Sequence, residues 1–130
     1  MQGKKKVFIS NVYEDKHFRD QIADWFEKGR MQNHEPVFET EDTRQDGPKG
    51  IKKHLSPKIA EADVIIALIG DNSHNHPWVD WEVAHARSLG IPVIPVRLPK
   101  TSGAGPREIR NKKMVRYSPR TLQEALNKIE

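Results

Sequence analysis

The sequence predicts an α/β fold in which a parallel β-sheet carries helices on both faces. Strand-like and helix-like patterns alternate along all 130 residues, and this alternation is typical of parallel sheets. The segment Asp63–Gly70 is apolar on both faces, as expected for a strand at the centre of such a sheet. No internal repeat or linker divides the chain, so we expect a single domain over residues 1–130.

The first part of the chain begins with a predicted strand and an amphipathic helix. Val7–Ser10 is apolar up to the serine, which suits a buried parallel strand. The helix begins near Asp15 and ends near Gly29. Its apolar residues repeat at helical spacing: Phe18, Ile22, Trp25 and Phe26. Pro36–Glu39 is a weaker second strand, and the polar loop Thr40–Gly50 follows it.

The next helical pattern is interrupted by a proline. Ile51, Leu55 and Ile59 lie at helical spacing, but Pro57 falls between them. Because Ser56 suits the cap of a new helical turn that starts at Pro57, we expect a kinked or broken helix.

A polar loop, Asp71–His76, separates the central strand from the next predicted helix, Pro77–Leu89. Pro77 suits the start of this helix because proline is favoured in the first turn, and Gly90 is expected to end it. Ile91–Leu98 is the fourth predicted strand. Pro95 is awkward inside a central strand and indicates a bulge or an edge.

The C-terminal part contains a loop, a short strand and a helix. Pro99–Lys113 is rich in glycine, proline and basic residues, and we expect it to be flexible. Met114–Tyr117 is a short fifth strand. The final helix starts at Ser118, and its apolar face comprises Leu122, Leu126 and Ile129.

The composition narrows the class of protein. Hydrophobic residues are 35% and charged residues 31%, and no apolar run reaches the roughly 18–20 residues of a membrane span, so we expect a globular protein without a membrane partner. The basic start leads directly into a strand without the apolar stretch of a signal peptide, which predicts a cytoplasmic location. The chain has no cysteine, which excludes disulfides and thiolate chemistry.

The net charge of +4 comes with three basic clusters, at residues 4–6, 49–53 and 107–113. They are most simply solvated patches. No aromatic-interleaved strand or recognition helix accompanies them, so nucleic acid is not an expected partner. Anionic ligands such as nucleotide phosphates remain compatible with this charge.

Glu82 is the most informative residue of the chain. On a wheel of about 100° per residue, it lies within the apolar arc of its predicted helix. That arc comprises Trp78, Val79, Val83, Ala86 and Leu89. Asp80 and Arg87 lie opposite, where solvent is expected. A buried carboxylate costs several kcal/mol unless it is paired or hydrogen-bonded. The wheel therefore indicates either a structural salt bridge, for example to Arg97, or a functional site.

Several short motifs appear in a consistent order along this pattern. Val7 to Asp15 resembles the F-I-S-x-x-x-x-D opening of TIR domains, and Trp78 with Glu82 matches the W-x-x-x-E spacing of TIR domains that cleave NAD. Asp63–Gly70, together with residues 90–94, is similar to the TIR proteins of Thoeris anti-phage systems. The resemblance covers about residues 5 to 98. It implies a flavodoxin-like, TIR-like fold with NAD as a substrate and no cofactor.

The resemblance also implies a reaction. Glu82 would be the catalytic residue, and the product would be an ADP-ribose-derived, cyclic or otherwise modified signal that reaches a downstream effector. Breaking the nicotinamide–ribose bond generates an oxocarbenium-like ribose, as in glycoside hydrolysis. One carboxylate near the ribose hydroxyls suffices to stabilise that charge, because nicotinamide is already cationic and leaves without protonation.

Further binding residues are assigned by the same resemblance. Phe8, Ser10 and Asn11 end the first strand and would flank the nicotinamide riboside; otherwise they form an ordinary strand end. The carboxyl ends of the strands are where such folds bind ligands, which adds Gly70. Asp42 loosely matches an acidic loop residue of the Thoeris-like TIR proteins.

The two tryptophans beside Glu82 are the remaining candidates of this group. Trp78 borders the apolar arc, whereas Trp81 lies off it and could stack on an adenine or on a neighbouring subunit. TIR self-association is a further implied partner interaction, with the Thr40–Gly50 loop as the candidate contact.

Metal binding is not expected. His74 and His76 flank one residue in a loop near Asp71, but no third ligand has a fixed spacing to them. The neighbouring Asn and Ser residues are more typical of turns and helix caps.

Three other functions compete with NAD cleavage. One is a TIR-like scaffold without activity, which the glutamate disfavours. Another is a nucleoside deoxyribosyltransferase-like enzyme, which would also use a glutamate on a related fold. A phospho-acceptor receiver domain is disfavoured, because its aspartate ends the central strand where this chain has Ile69 and Gly70.

Overall fold

The computed structural model describes residues 5–11, 15–30, 33–37, 56–71, 77–103, 105, 109 and 112–129, and of residues 77 and 78 the backbone only. The strands in this part of the chain are β1 (Lys5–Ser10), β2 (His34–Val37), β3 (Val64–Ile69), β4 (Val93–Arg97) and β5 (Val115–Arg116). The helices are α1 (Lys16–Glu27), α2 (Pro77–Ser88) and α3 (Pro119–Asn127). Residues 56–61 are also helical.

The strands form one parallel sheet in the order β2-β1-β3-β4-β5. The predicted α/β class, a parallel sheet with helices on both faces, is confirmed. The strand order was not readable from the sequence. It places β1 and β3 side by side at the point where the chain reverses its direction across the sheet. Open α/β sheets bind ligands in the crevice beyond the carboxyl ends of the strands at such a point.

The two faces of the sheet have separate cores. The first, the α1/α3 face, contains Val7, Ile9, Val64, Ile66 and Leu68 of the sheet with Ile22, Trp25, Leu122 and Leu126 of the helices. The second, the α2 face, contains Phe8, Ile65, Ala67, Ile69 and Val93 of the sheet with Ile59, Val83 and Ala86 of the helical segments. Alternation along each strand divides neighbouring residues between these faces.

The predicted ends of the helices are largely confirmed. Gly29, at φ 74°, follows α1 in the left-handed conformation that glycine adopts without steric cost. Ser118 caps α3, and its Oγ accepts a hydrogen bond from the Thr121 N–H at 3.1 Å. Pro119 then occupies the first turn of the helix, as predicted.

Some predicted boundaries differ from the structure. β1 starts at Lys5, β2 starts at His34, and β4 spans only Val93–Arg97. The predicted extension of β2 to Glu39, the Thr40–Gly50 loop and the helical pattern over 51–55 lie outside the described residues.

Pro95 lies inside β4, where the sequence predicted a bulge or an edge. The β4 carbonyl and N–H that face β3 belong to even-numbered residues, since Ile65 N–H donates to Pro92 O and Leu98 N–H donates to Ile69 O. The missing N–H of Pro95 therefore faces the β5 side, where pairing covers only Val96 and Arg97. The proline costs no ladder hydrogen bond with β3, which explains why the strand tolerates it.

The start of the predicted flexible loop 99–113 is anchored to the end of β3. Asp71 Oδ1 accepts hydrogen bonds from the backbone N–H groups of Ser102 (2.8 Å) and Gly103 (3.2 Å). Thr101 Oγ1 donates to Leu98 O at 2.7 Å. Within the described part of the chain, no helix is long and apolar enough to span a membrane.

Candidate active site

The candidate site lies on the α2 face, at the carboxyl edge of β1 and β3. Register pairs Phe8 with Ile65 and Ser10 with Ala67, so these four side chains point to the same side of the sheet. The helix α2 packs over this side and contacts β1, β3 and β4. Residues from two strands and one helix therefore converge near the switch in strand order.

Glu82 is buried, with 5% of its surface exposed. Val79, Val83 and Ala86 of the same helix are fully buried, which confirms that Glu82 lies on the packed side of α2. Leu89 is an exception, because it is 49% exposed. The helix ends at Ser88, so the wheel no longer applies to Leu89, and that prediction was wrong.

The opposite side of α2 agrees with the wheel only in part. Arg87 is exposed as predicted, but Asp80 is half-buried and its Oδ1 atom is inaccessible to solvent. The prediction of a solvent-facing Asp80 was therefore wrong.

The salt bridge suggested by the sequence is not formed. Arg97 Nη1 donates to Thr101 Oγ1 at 3.4 Å, and no ion pair joins Arg97 to Glu82 among the residues that the structure describes. A salt bridge to Arg97 therefore does not explain the burial of Glu82.

Ser10 adds a second buried polar group to this face. Its side chain is fully buried, and its Oγ has no hydrogen-bond partner in the described part of the chain. An unsatisfied buried hydroxyl costs about 1–3 kcal/mol, and a ligand or a water molecule is the usual remedy. Phe8 is buried beside it on the same face, and Asn11 is half-buried just beyond the strand.

Asp15 joins the site at Gly70, which follows β3. A Cβ atom added at Gly70 would lie 2.5 Å from Asp15 Oδ2, so any larger residue there would displace this carboxylate. From the sequence, Asp15 was predicted as a motif position and a helix start, and not as a site residue. Its place in the F-I-S-x-x-x-x-D motif was the available signal.

The remaining predicted site residues fall into two groups. Trp81 is partly buried and packs against the α2-face core, and its ring stacks on His85 with a centroid distance of 4.9 Å and an angle of 12°. Asp42 and the side chain of Trp78 lie outside the described residues, as do His74 and His76. The described residues contain no cluster of three or more potential metal ligands.

The α2 face combines a buried carboxylate, that of Glu82, with a buried hydroxyl, that of Ser10, which ends β1. Such a carboxylate can stabilise positive charge that develops on a sugar, and burial strengthens that interaction. The hydroxyl can orient the sugar through hydrogen bonds.

Comparisons with known proteins concern the family and the fold of the chain. The family described as the TIR-like domain of Thoeris protein ThsB matches residues 8–103. Among solved structures, the chain is similar to the CMP N-glycosidase BcmB of Clostridium botulinum, with a TM-score of 0.60 over 95% of this chain and 98% of that chain. The sequences are 19% identical, so this likeness concerns the fold alone. No curated protein matches the chain.

Proposed function

The chain belongs to the Thoeris ThsB family of TIR-like domains, and we propose that it cleaves NAD at the bond between nicotinamide and ribose. The observation that carries the proposal is the burial of Glu82 on the side of α2 that packs against β1, β3 and β4. Open α/β sheets bind ligands beyond the carboxyl ends of such strands. Neither a metal nor a cofactor is needed, because NAD is the substrate and its nicotinamide ring is already cationic, so that it leaves as neutral nicotinamide without protonation.

In the proposed reaction, the C1′–N bond breaks and its electron pair leaves with nicotinamide. The ribose becomes oxocarbenium-like, and the Glu82 carboxylate stabilises this charge and orients the ribose hydroxyls. Water, or a nitrogen of the adenine of the same molecule, then forms the new bond to C1′, and a proton passes to solvent. The product is ADP-ribose or its cyclic form, which would act as a signal to a downstream effector in anti-phage defence.

Ser10 supports the same proposal by its position. Its buried hydroxyl lies on the Glu82 side of the sheet and would hydrogen-bond the nicotinamide riboside, which would satisfy a group that otherwise has no partner in the described structure. Phe8 would pack against the nicotinamide ring. Asn11, Gly70, Asp42, Trp78 and Trp81 complete the proposed substrate contacts, and TIR self-association would complete the pocket.

The direct test measures nicotinamide release from NAD by chromatography over a range of protein concentrations. Glu82→Gln keeps the size of the side chain and removes its charge, so we expect the rate to fall by about 100-fold or more. Glu124→Gln is the matched control. Glu124 lies on α3, is exposed, and accepts a hydrogen bond from Arg120 at 3.2 Å, so its loss should leave the rate unchanged. Equal rates for both variants would refute the role of Glu82.

A second candidate function is hydrolysis of a nucleoside monophosphate. The observation in its favour is the similarity in fold to a CMP N-glycosidase over 95% of the chain. This reaction would also break a bond between C1′ of a ribose and a nitrogen of a base, with the same carboxylate. The two functions are therefore distinguished by their substrates. Release of cytosine from CMP without release of nicotinamide from NAD would favour this candidate. A folded parent protein that cleaves neither substrate at any concentration would instead favour a scaffold.

A further inference from the structure

A cleft of about 500 Å³ lies at the carboxyl ends of β4 and β5, at the opposite end of the sheet from β2. Three cations line it: Arg97 at the end of β4, Lys100 in the following turn, and Arg116 in β5. No carboxylate is among its lining residues, and none pairs with these cations within the described part of the chain. The local charge is therefore strongly positive.

The sheet register places two of these cations side by side. Arg97 and Arg116 are paired across the adjacent strands β4 and β5, so both side chains leave the same face of the sheet. Like charges in this position repel one another and destabilise the pairing. An anion bound between the two guanidinium groups would turn this repulsion into attraction, since each group offers a planar set of donors that matches phosphate oxygens.

Lys100 is held in an unfavourable backbone conformation. Its φ of 59° lies in the left-handed region, which is uncommon for residues other than glycine, asparagine and aspartate. Strain of this kind persists where the surrounding structure fixes it, and it is concentrated at ligand sites. Here the turn is fixed by Thr101, whose hydroxyl donates to Leu98 O at 2.7 Å. Lys100 is thereby held as the third cation in the lining of the cleft.

Apart from Thr101, the rest of the lining is apolar, and the cleft is larger than a lone phosphate requires. Met114 and Tyr117, which are half-buried, contribute to its walls. Tyr117 is held in place because its hydroxyl donates to Phe18 O at 2.9 Å and its ring packs on Phe18 and Trp25. A volume of this size is that of a small-molecule site with an apolar wall and a few polar groups.

We propose that this cleft binds a nucleotide, with its phosphate groups on Arg97, Lys100 and Arg116 and its base against the apolar wall. The cleft is distinct in position from the Glu82 site. Strands lie about 4.8 Å apart, so β5 is about 14 Å from β1, where Ser10 lies. The nucleotide is either the distal half of a dinucleotide substrate or a separate effector. Nucleotide binding to the cleft does not depend on whether the domain cleaves NAD.

The test uses calorimetry at low salt with ADP as the probe. The protein carries Glu82→Gln, which would block the proposed turnover. Arg116→Gln is the test variant because Arg116 is exposed in a short strand and its change spares the core. We expect its dissociation constant for ADP to rise at least tenfold, and Lys100→Gln to have a similar effect. Lys113→Gln is the matched control: this exposed lysine lies close by in sequence, carries the same charge and does not line the cleft.

Four outcomes decide the proposal. ADP binding that is lost in Arg116→Gln and kept in Lys113→Gln supports it, provided that adenosine, which has no phosphate, binds far more weakly. If Lys113→Gln weakens ADP binding as much as Arg116→Gln does, the effect comes from the general positive charge of the protein, and the proposal is overturned. No ADP binding by the parent would overturn it as well, as would an unchanged affinity in Arg116→Gln.

A further titration identifies the source of the phosphate. Should Arg116→Gln weaken NAD binding by the same factor and ADP displace NAD, the cleft holds the diphosphate of the substrate. NAD binding that is unaffected by ADP assigns the cleft to a separate nucleotide effector.

Discussion

The two faces of the sheet are built from the same five strands but carry different chemistry. The α1/α3 face buries aliphatic and aromatic side chains, and its buried polar residue, His34, lies at the amino-terminal start of β2. The α2 face buries Ser10, at the carboxyl end of β1, and Glu82, on the packed side of α2. The difference indicates that one face mainly stabilises the fold, whereas the other accepts buried polar groups where a ligand would meet them.

This division is sharpest along β3. Ile65 and Ile66 are neighbours in sequence and both are fully buried, but they point to opposite faces. They therefore form a matched pair in which the residue type, the strand and the degree of burial are the same. Only the face differs.

The largest expected effect is the loss of stability when either isoleucine is truncated. Ile66→Ala and Ile65→Ala each remove buried methyl and methylene groups and leave a cavity, so we expect each to lower the free energy of unfolding by about 2–5 kcal/mol. Urea denaturation monitored by tryptophan fluorescence measures both. A loss of less than about 1 kcal/mol in Ile65→Ala alone would mean that the α2-face core closes around the cavity, and that the two faces are not equally packed.

The milder Ile→Val changes then test activity. Each costs about 0.5–1.5 kcal/mol and leaves the chain folded. We expect Ile65→Val, beneath the Glu82 site, to reduce nicotinamide release more than Ile66→Val does. Equal activity losses at equal stability would contradict the assignment of the site to one face.

The sequence predicted the fold better than it predicted the contacts of the site. Hydrophobic periodicity located the strands and helices, because burial imposes a period of two on strands and about 3.6 on helices. The helical period also predicted the burial of Glu82. It could not reveal that Asp15 packs against Gly70, or that Arg97 and Arg116 are adjacent, because these contacts depend on strand order and register. The wheel was wrong for Leu89 because a periodic pattern does not mark where a helix ends.

The next effect concerns the contact between Gly70 and Asp15 at the switch in strand order. Gly70→Ala would place a Cβ atom 2.5 Å from Asp15 Oδ2 and 3.2 Å from its Cγ, so the carboxylate must move. We expect a stability loss of about 1–2 kcal/mol, in the range of overpacking. In the Asp15→Ala background the obstacle is gone, and the same glycine change should cost much less.

A double-mutant cycle over these two positions isolates the contact. Thermal unfolding gives the stability coupling, and NAD cleavage gives the functional coupling. Additive stability losses would show that the clash is relieved elsewhere, and would remove Asp15 from the proposed site.

The smallest expected effect belongs to the α1/α3 face and appears only at alkaline pH. Burial raises the pKa of the Tyr117 hydroxyl above its ordinary value of 10.0, because the phenolate would lose its solvation. The unfolded chain ionises this tyrosine near pH 10, whereas the folded chain retains the proton. The stability contribution is therefore intact below pH 10 and is lost as the pH rises beyond it.

Tyr117→Phe separates this contribution from the others. The variant loses the hydrogen bond to Phe18 O, so we expect it to be about 1 kcal/mol less stable than the parent at pH 8. Lys6, whose pKa is raised by its hydrogen bond to Glu61, loses its own contribution at alkaline pH in both proteins and cancels in the comparison. Urea midpoints measured from pH 8 to 11 should therefore converge as the pH rises. A constant difference would mean that Tyr117 ionises in the folded protein, and that this face is more open to solvent than its packing indicates.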